Sequence, residues 1–177
     1  EPMAVGFHVP GQAEARPGET AVVLGAGTVG LTALMALRVR GVTEIYVTDL
    51  VDSRLRMAEE LGARAALDAG KTDVVREVME RTGDRGVDTV FEMAGSSVTT
   101  RQTVDLVKRG GRVLLAGFAT EAVPFDFRQL IFKEASIRTS RRYRNLYPAV
   151  IQAMAEGLVS ARRLVVVAAR RVLVNVP

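Results

Sequence analysis

Thr20-Ala21-Val22-Val23-Leu24-Gly25-Ala26-Gly27-Thr28-Val29-Gly30 is the stretch that decides the fold. Its opening residues form a short apolar run ending in glycine, which predicts a buried parallel strand. The glycines are spaced G-x-G-x-x-G, and apolar residues recur at helical spacing from Val29 to Arg40. A strand, a glycine turn and a helix in succession give that spacing a mechanical meaning. Gly25 permits the tight turn, Gly27 lets the backbone approach a pyrophosphate, and Gly30 lets the helix pack close to the strand. The free N–H groups and the positive end of the helix then face phosphate. Gly25, Gly27, Thr28 and Gly30 are therefore expected to hold a dinucleotide.

Outward from this stretch, strands and helices alternate. Glu44 to Thr48 reads as a second strand, and Ser53 to Leu61 as a helix capped by Ser53 and stopped by Gly62. Ala65 to Leu67 predicts a brief third strand. Thr72 to Thr82 reads as a helix ended by Gly83, and Val87 to Met93 as a fourth strand. Ser97 to Lys108 reads as a helix ending at Gly110-Gly111, followed by a fifth strand over Arg112 to Ala116. Ser136 to Ser140 gives a sixth strand, and Pro148 to Glu156 a last helix with a proline in its first turn. Such alternation implies an α/β Rossmann fold: a doubly wound, six-stranded parallel sheet in the order 3-2-1-4-5-6, with helices on both faces. The expected organisation is a lead-in over residues 1–18, a dinucleotide-binding domain over 19–160 and an atypical tail over 161–177. Pro2, Pro10 and Pro17 mark the lead-in as a linker. The tail is a β-prone apolar run interrupted by arginines.

Asp49 ends the second strand, nineteen residues after Gly30. A carboxylate there accepts hydrogen bonds from both hydroxyls of an adenosine ribose and repels a 2′-phosphate, which favours NAD over NADP. Arg54 is read as packing near the adenine, since Asp49 occupies the ribose position. Ligands gather at the carboxyl ends of such strands, which singles out Ala94-Gly95 and Ala116-Gly117-Phe118. Their small residues allow backbone contact with the ribose and nicotinamide.

The apolar fraction of 48% and charged fraction of 25% are those of an ordinary globular protein. No apolar run reaches the roughly 20 residues of a membrane span, and no secretory pattern opens the chain. A soluble, cytoplasmic protein with no membrane partner is expected. The chain has no cysteine and one histidine, His8, so neither a zinc site nor a Cys-His or Ser-His-Asp arrangement is supported. Residues 1–135 carry a balance of −3, whereas 136–177 carry eight arginines and one glutamate, a balance of +7. No nucleic-acid motif accompanies that basic end, so it is read as facing an anionic cofactor or another domain rather than nucleic acid.

Further motifs resemble a known family. Pro17-Gly18-Glu19-Thr20 through Gly30, Val47-Thr48-Asp49-Leu50, Arg54-Leu55 and Glu60-Leu61-Gly62-Ala63 look like the zinc-dependent medium-chain dehydrogenases. Gly86-Val87-Asp88, Gly110-Gly111-Arg112 and Ala116-Gly117-Phe118 fit the same pattern, and Glu1-Pro2-Met3-Ala4-Val5-Gly6 resembles the segment just before the family's cofactor domain. Arg142-Tyr143-Arg144-Asn145-Leu146-Tyr147-Pro148 is similar to the polyol branch, which includes sorbitol and xylitol dehydrogenases. The resemblance covers about residues 1–164. It implies that Val29, Asp49 and Arg54 contact NAD, and that Ala116-Gly117-Phe118 and Ser140-Arg141-Arg142 line the nicotinamide half. It implies a catalytic role for Glu1, near a zinc reached through water, and for Arg142 and Tyr143, facing the substrate cleft. In the family, zinc polarises the alcohol oxygen and the alkoxide passes hydride to the nicotinamide.

The resemblance thus implies the cofactor half of an NAD-dependent polyol or secondary-alcohol dehydrogenase. The family's zinc ligands lie mainly in a catalytic domain that this chain does not include, so the chain is expected to lack turnover by itself. It starts without an initiator methionine, as a processed chain or a piece of a longer one would. The resembled family dimerises through this domain and the outer strand over Ser136 to Ser140 invites pairing, so a homodimer is expected. Two other readings stay open: a noncatalytic NAD-binding sensor or regulatory module, and an S-adenosylmethionine-dependent methyltransferase. The full glycine spacing and the later Gly117 favour the dehydrogenase over the last.

Overall fold

A computed structural model describes residues 1–160 and Leu164; the rest of the expected tail, 161–177, lies outside the described residues. Six strands form one sheet: Thr20–Leu24 (β1), Glu44–Asp49 (β2), Ala65–Asp68 (β3), Val87–Glu92 (β4), Val107–Leu115 (β5) and Ser136–Thr139 (β6). Their order is 3-2-1-4-5-6, and every neighbouring pair is parallel. The helices are Pro2–Gln12 (α1), Thr28–Val39 (α2), Asp52–Glu60 (α3), Val74–Arg81 (α4), Ser97–Leu106 (α5), Phe127–Lys133 (α6) and Tyr147–Ala155 (α7). The expected doubly wound sheet and strand order are both present.

Successive residues of a strand point to opposite faces, and here both faces are covered. Ala21 and Val23 of β1, Ile45 and Val47 of β2, Phe91 of β4 and Leu114 of β5 pack with α1, α2, α3 and α7. Val22 and Leu24, Tyr46, Val90 and Val113 pack with α4, α5 and α6 on the other side. Burying a leucine or phenylalanine fully contributes roughly 1.5–3 kcal/mol. Leu24, Ile45, Phe91 and Leu114 are all fully buried, so the sheet centre carries much of the stability.

The N-terminal stretch departs from expectation: residues 2–12 are a helix, not a linker. Pro2 occupies its first turn, where the lost N–H would have no partner in any case. The cause of the helix lies in α2, where every residue from Gly30 to Leu37 is buried. A helix apolar all round needs cover on both sides. The sheet covers one side of α2 and α1 the other. Gly6 permits the close crossing, because a Cβ there would overlap Thr32 Oγ1.

Other boundaries also shift. α5 ends at Leu106, and Gly110-Gly111 falls inside β5 rather than before it. Between the pairs Val87–Val107 and Thr89–Arg112 the register slips, and Lys108 to Gly111 bulge out of the ladder. Gly110 takes φ +68°, a conformation that glycine adopts without a Cβ penalty. α3 begins at Asp52 and has no side-chain cap, so Ser53 is a helical residue and not a cap. The short helix α6, unforeseen in the sequence, is capped by Asp126.

Candidate cofactor site

The carboxyl ends of β1 and β4 lie side by side at the point where the strand order reverses, which is where open α/β sheets bind ligands. The glycine loop leaves β1 there. Gly25 has φ +109°, and a Cβ on it would stand 3.0 Å from the Ala94 nitrogen. A Cβ on Gly30 would overlap the Gly25 carbonyl oxygen. The protein's own packing therefore demands these two glycines. Gly27 is different: its φ is −64°, and nothing lies within 4 Å of where its Cβ would be. Neither backbone conformation nor packing within the chain accounts for a glycine at that position. Gly27 is also the N-cap of α2 and supplies no side-chain hydrogen bond, unlike Asp73, Ser96 and Asp126 at the starts of α4, α5 and α6. The first N–H groups of α2 are thus left for another acceptor.

Asp49, at the end of β2, is anchored against this loop. Its Oδ2 accepts from the Ala26 N–H at 2.8 Å, and its Oδ1 from the Leu50 and Val51 N–H groups at 2.9 and 3.0 Å. Arg54 Nη1 donates to both carboxylate oxygens at 3.3 Å. Arg54, expected beside an adenine, is therefore the direct ion-pair partner of Asp49. The pair lies at the outer end of the glycine loop and is mostly shielded from solvent.

The two loops expected on the nicotinamide side also meet. A Cβ on Gly95 would stand 2.7 Å from the Phe118 carbonyl oxygen, and one on Gly117 would overlap the Gly95 nitrogen. Ala94-Gly95 and Ala116-Gly117-Phe118 thus touch backbone to backbone, while the Phe118 side chain is 81% exposed. The residue beneath them is Glu92, the last of β4 and only 1% exposed. The sequence reading passed over Glu92 among the chain's many carboxylates. Its signal was an acid following the apolar pair Val90-Phe91 at the end of a strand, just ahead of Ala94-Gly95.

Ser140, Arg141 and Arg142 follow β6. The Ser140 N–H donates to the Leu115 carbonyl at 2.9 Å, which sets this turn next to the end of β5, while Arg141 and Arg142 are exposed. Tyr143 Oη donates to Tyr147 Oη at 2.8 Å, and the two rings meet edge to face. That hydrogen bond, with desolvation and the nearby Tyr147 and Glu1, raises the Tyr143 hydroxyl above its ordinary pKa, against an opposing pull from Arg142. Glu1 and Tyr147 line one apolar hollow of about 460 Å³ together with Thr28, Val150, Ile151 and Met154. The structure therefore gathers Glu1, Arg142 and Tyr143 on the side of the molecule that carries the start of α2.

The zinc-binding dehydrogenase family model matches residues 28–156. The chain belongs to this family. It is 40% identical over 93% of its length to an uncharacterized zinc-type alcohol dehydrogenase-like protein, YdjJ, of Escherichia coli K12, of which it covers 47%. It is 34% identical, with the same coverage, to a sorbitol dehydrogenase of Bacillus subtilis. Among solved structures, an Escherichia coli CFT073 short chain alcohol dehydrogenase, rspB, complexed with NADH matches with a TM-score of 0.86 at 30% identity, over 93% of this chain and 48% of its own. A putative zinc-binding dehydrogenase from Sinorhizobium meliloti bound to NADP matches with a TM-score of 0.87 at 29% identity, over 92% of this chain and 49% of its own. The chain spans about half the length of the curated relatives it matches.

The family name implies zinc, but the side chains of this chain do not fit it. There is no cysteine, and among the described residues no three His, Asp or Glu side chains converge. His8 lies on α1 with its pKa lowered by burial and then by Arg144, and among the described residues it belongs to no group of three such side chains. No helix among the described residues is long and apolar enough to cross a membrane.

Proposed function

We propose that this chain binds NAD(H) and serves as the cofactor-binding half of a polyol or secondary-alcohol dehydrogenase. Gly27 carries the proposal: it is a glycine that the fold does not need, set at the uncapped start of α2 and at the switch point of the sheet. Gly25, Thr28, Val29 and Gly30 present backbone to the pyrophosphate. Asp49 takes the adenosine ribose, and Arg54 holds its carboxylate in place. Ala94-Gly95, Ala116-Gly117-Phe118 and Ser140-Arg141-Arg142 support the nicotinamide end, and Glu1, Arg142 and Tyr143 face the alcohol. When bound, the nicotinamide accepts the hydride; the chain's own residues position it, keep water from it and set the field around it. Relatives that are sorbitol, xylulose and butanediol enzymes support the polyol branch. No observation favours the noncatalytic sensor.

Calorimetric titration with NADH and NADPH tests the reading. Tighter binding of NADH is expected, because the Asp49 carboxylate repels a 2′-phosphate. Binding of neither cofactor would defeat the proposal, and equal or tighter NADPH binding would defeat the choice of NAD.

The proposed division of the chain keeps the cofactor domain at 19–160 and assigns residues 1–18 to the catalytic domain, with α1 packed on α2. The proposed assembly is a homodimer through β6. That strand is outermost in the sheet, and Phe127, Ile131 and Phe132 of the preceding α6 are each more than 60% exposed. Arg138 would obstruct strand pairing if it pointed outward, but it folds back to donate to Glu14 Oε1 at 2.7 Å and the Gln12 carbonyl at 2.8 Å.

A further inference from the structure

Two loops at the ends of neighbouring strands converge on one acid. The Glu92 carbonyl accepts from the Ala116 and Gly117 N–H groups, both at 2.9 Å. Its Oε1 accepts from the Ala94 N–H at 3.0 Å, the Gly95 N–H at 2.8 Å and Thr99 Oγ1 at 2.7 Å. A single buried residue thereby fixes both loops, and Thr99 ties them to the first turn of α5. Hydrogen bonds to an ionised acceptor are about twice as strong as neutral ones. Because the peptide unit is planar, an N–H turned inward sends the preceding carbonyl outward. The carbonyls of Met93, Ala94 and Ala116 are therefore turned away from Glu92, and none accepts a hydrogen bond among the described residues. The fit leaves no slack, because a Cβ on Gly117 would overlap Glu92 Oε2.

We infer that Glu92 is a positioning residue for the nicotinamide half of the cofactor: it touches no ligand, but it sets the orientation of the peptide planes on which that half rests. The adenosine half lies across the glycine loop on Asp49, whose contacts include none of these bonds. The inference rests on the proposed cofactor reading.

Glu92→Ala leaves the partly buried Ala94 and Gly95 N–H groups without this acceptor and opens a gap in the core, which risks unfolding, so Glu92→Gln is the decisive variant, since it keeps shape and removes charge. The assay is paired titration of the purified chain with NADH and with 5′-AMP, which lacks the nicotinamide half. Glu92→Gln should weaken NADH binding about fivefold or more while leaving 5′-AMP within about twofold, since the bonds to Oε1 keep their geometry but lose their charge assistance. The fluorescence maximum of bound NADH should also shift, which a general loss of stability would not cause. Thr99→Val, which removes one of the three donors to Oε1, should produce a smaller loss in the same direction. Equal losses for both ligands, or no loss for either, overturn the inference. If the unsubstituted chain binds 5′-AMP and NADH with no contribution from the nicotinamide half, the inference also fails. Absence of all binding defeats the proposed function with it.

Discussion

Replacing Gly27 by alanine separates what the ligand needs from what the fold needs. The new methyl group meets no protein atom within 4 Å, and φ at −64° suits alanine. The cost to the fold is limited to a poorer helix N-cap, about 1 kcal/mol or less. The cost to binding is larger, because the methyl group stands where backbone must approach phosphate. Losing one hydrogen bond to a charged group costs about 1.5–3 kcal/mol, or roughly a tenfold to hundredfold fall in affinity. Gly30→Ala provides the contrast. Its Cβ would overlap the Gly25 carbonyl, so stability falls first, by about 1–3 kcal/mol or more for an overpacked site. Thermal melting with NADH fluorescence titration distinguishes the two. Gly27→Ala should melt within a few degrees of the parent and bind NADH at least tenfold more weakly, by the arithmetic above. A Gly27→Ala chain that bound NADH as tightly as the parent would refute the reasoning.

Asp49→Ala should weaken NADH about tenfold and narrow the NADH-over-NADPH preference, since the ribose acceptor and the repulsion of a 2′-phosphate are lost together; an unchanged ratio of the two affinities counts against the ribose role. Asp88 links the start of β1 to β4 by accepting from the Thr20 N–H at 3.0 Å and Thr20 Oγ1 at 2.7 Å, and it pairs with Lys108. Burial acts to raise its pKa, but Lys108 and the Thr20 donors outweigh it and the pKa is lowered. Its stabilising effect is therefore present above the ordinary carboxylate range and is lost as pH falls through the depressed value. Denaturant melts across that range should show Asp88→Asn less stable at neutral pH and less sensitive to acid, and parallel pH curves for the two chains would argue against it. No zinc-dependent production of NADH from sorbitol, xylitol or a simple secondary alcohol is expected of this chain alone, and a steady rise in NADH absorbance would contradict that. Sedimentation across micromolar concentrations should reveal a homodimer, and a single monomeric species throughout would remove β6 as an interface.

The alternation of strands and helices and the placement of the glycine loop were legible in the sequence because each depends on local periodicity and turn chemistry, and the strand order followed from the fold class that such alternation implies. Asp49 was legible for the same reason: its position follows from the end of a strand and a count from Gly30. The helix at residues 2–12 was not, because prolines at its first turn and near its end resemble linker punctuation. A longer view of α2 would have found it, since eight consecutive residues without a polar face call for a second covering layer. The bulge at Lys108 to Gly111 escaped because a glycine pair marks a boundary equally well when it lies before a strand or within one. Glu92 escaped for another reason. Its donors come from segments near it in sequence and from Ala116 and Gly117, which are distant in sequence, and no window of residues displays that convergence.

The crossing of α1 over α2 has a mechanical consequence. Thr32 Oγ1 lies 3.1 Å from the Pro2 carbonyl and 2.8 Å from that of Val29, and Gly6 leaves no gap above it. The two helices are therefore keyed together and cannot slide past one another without tearing this joint. Glu1, at the head of α1, is thereby held beside Thr28 at the head of α2, and the two line the same hollow.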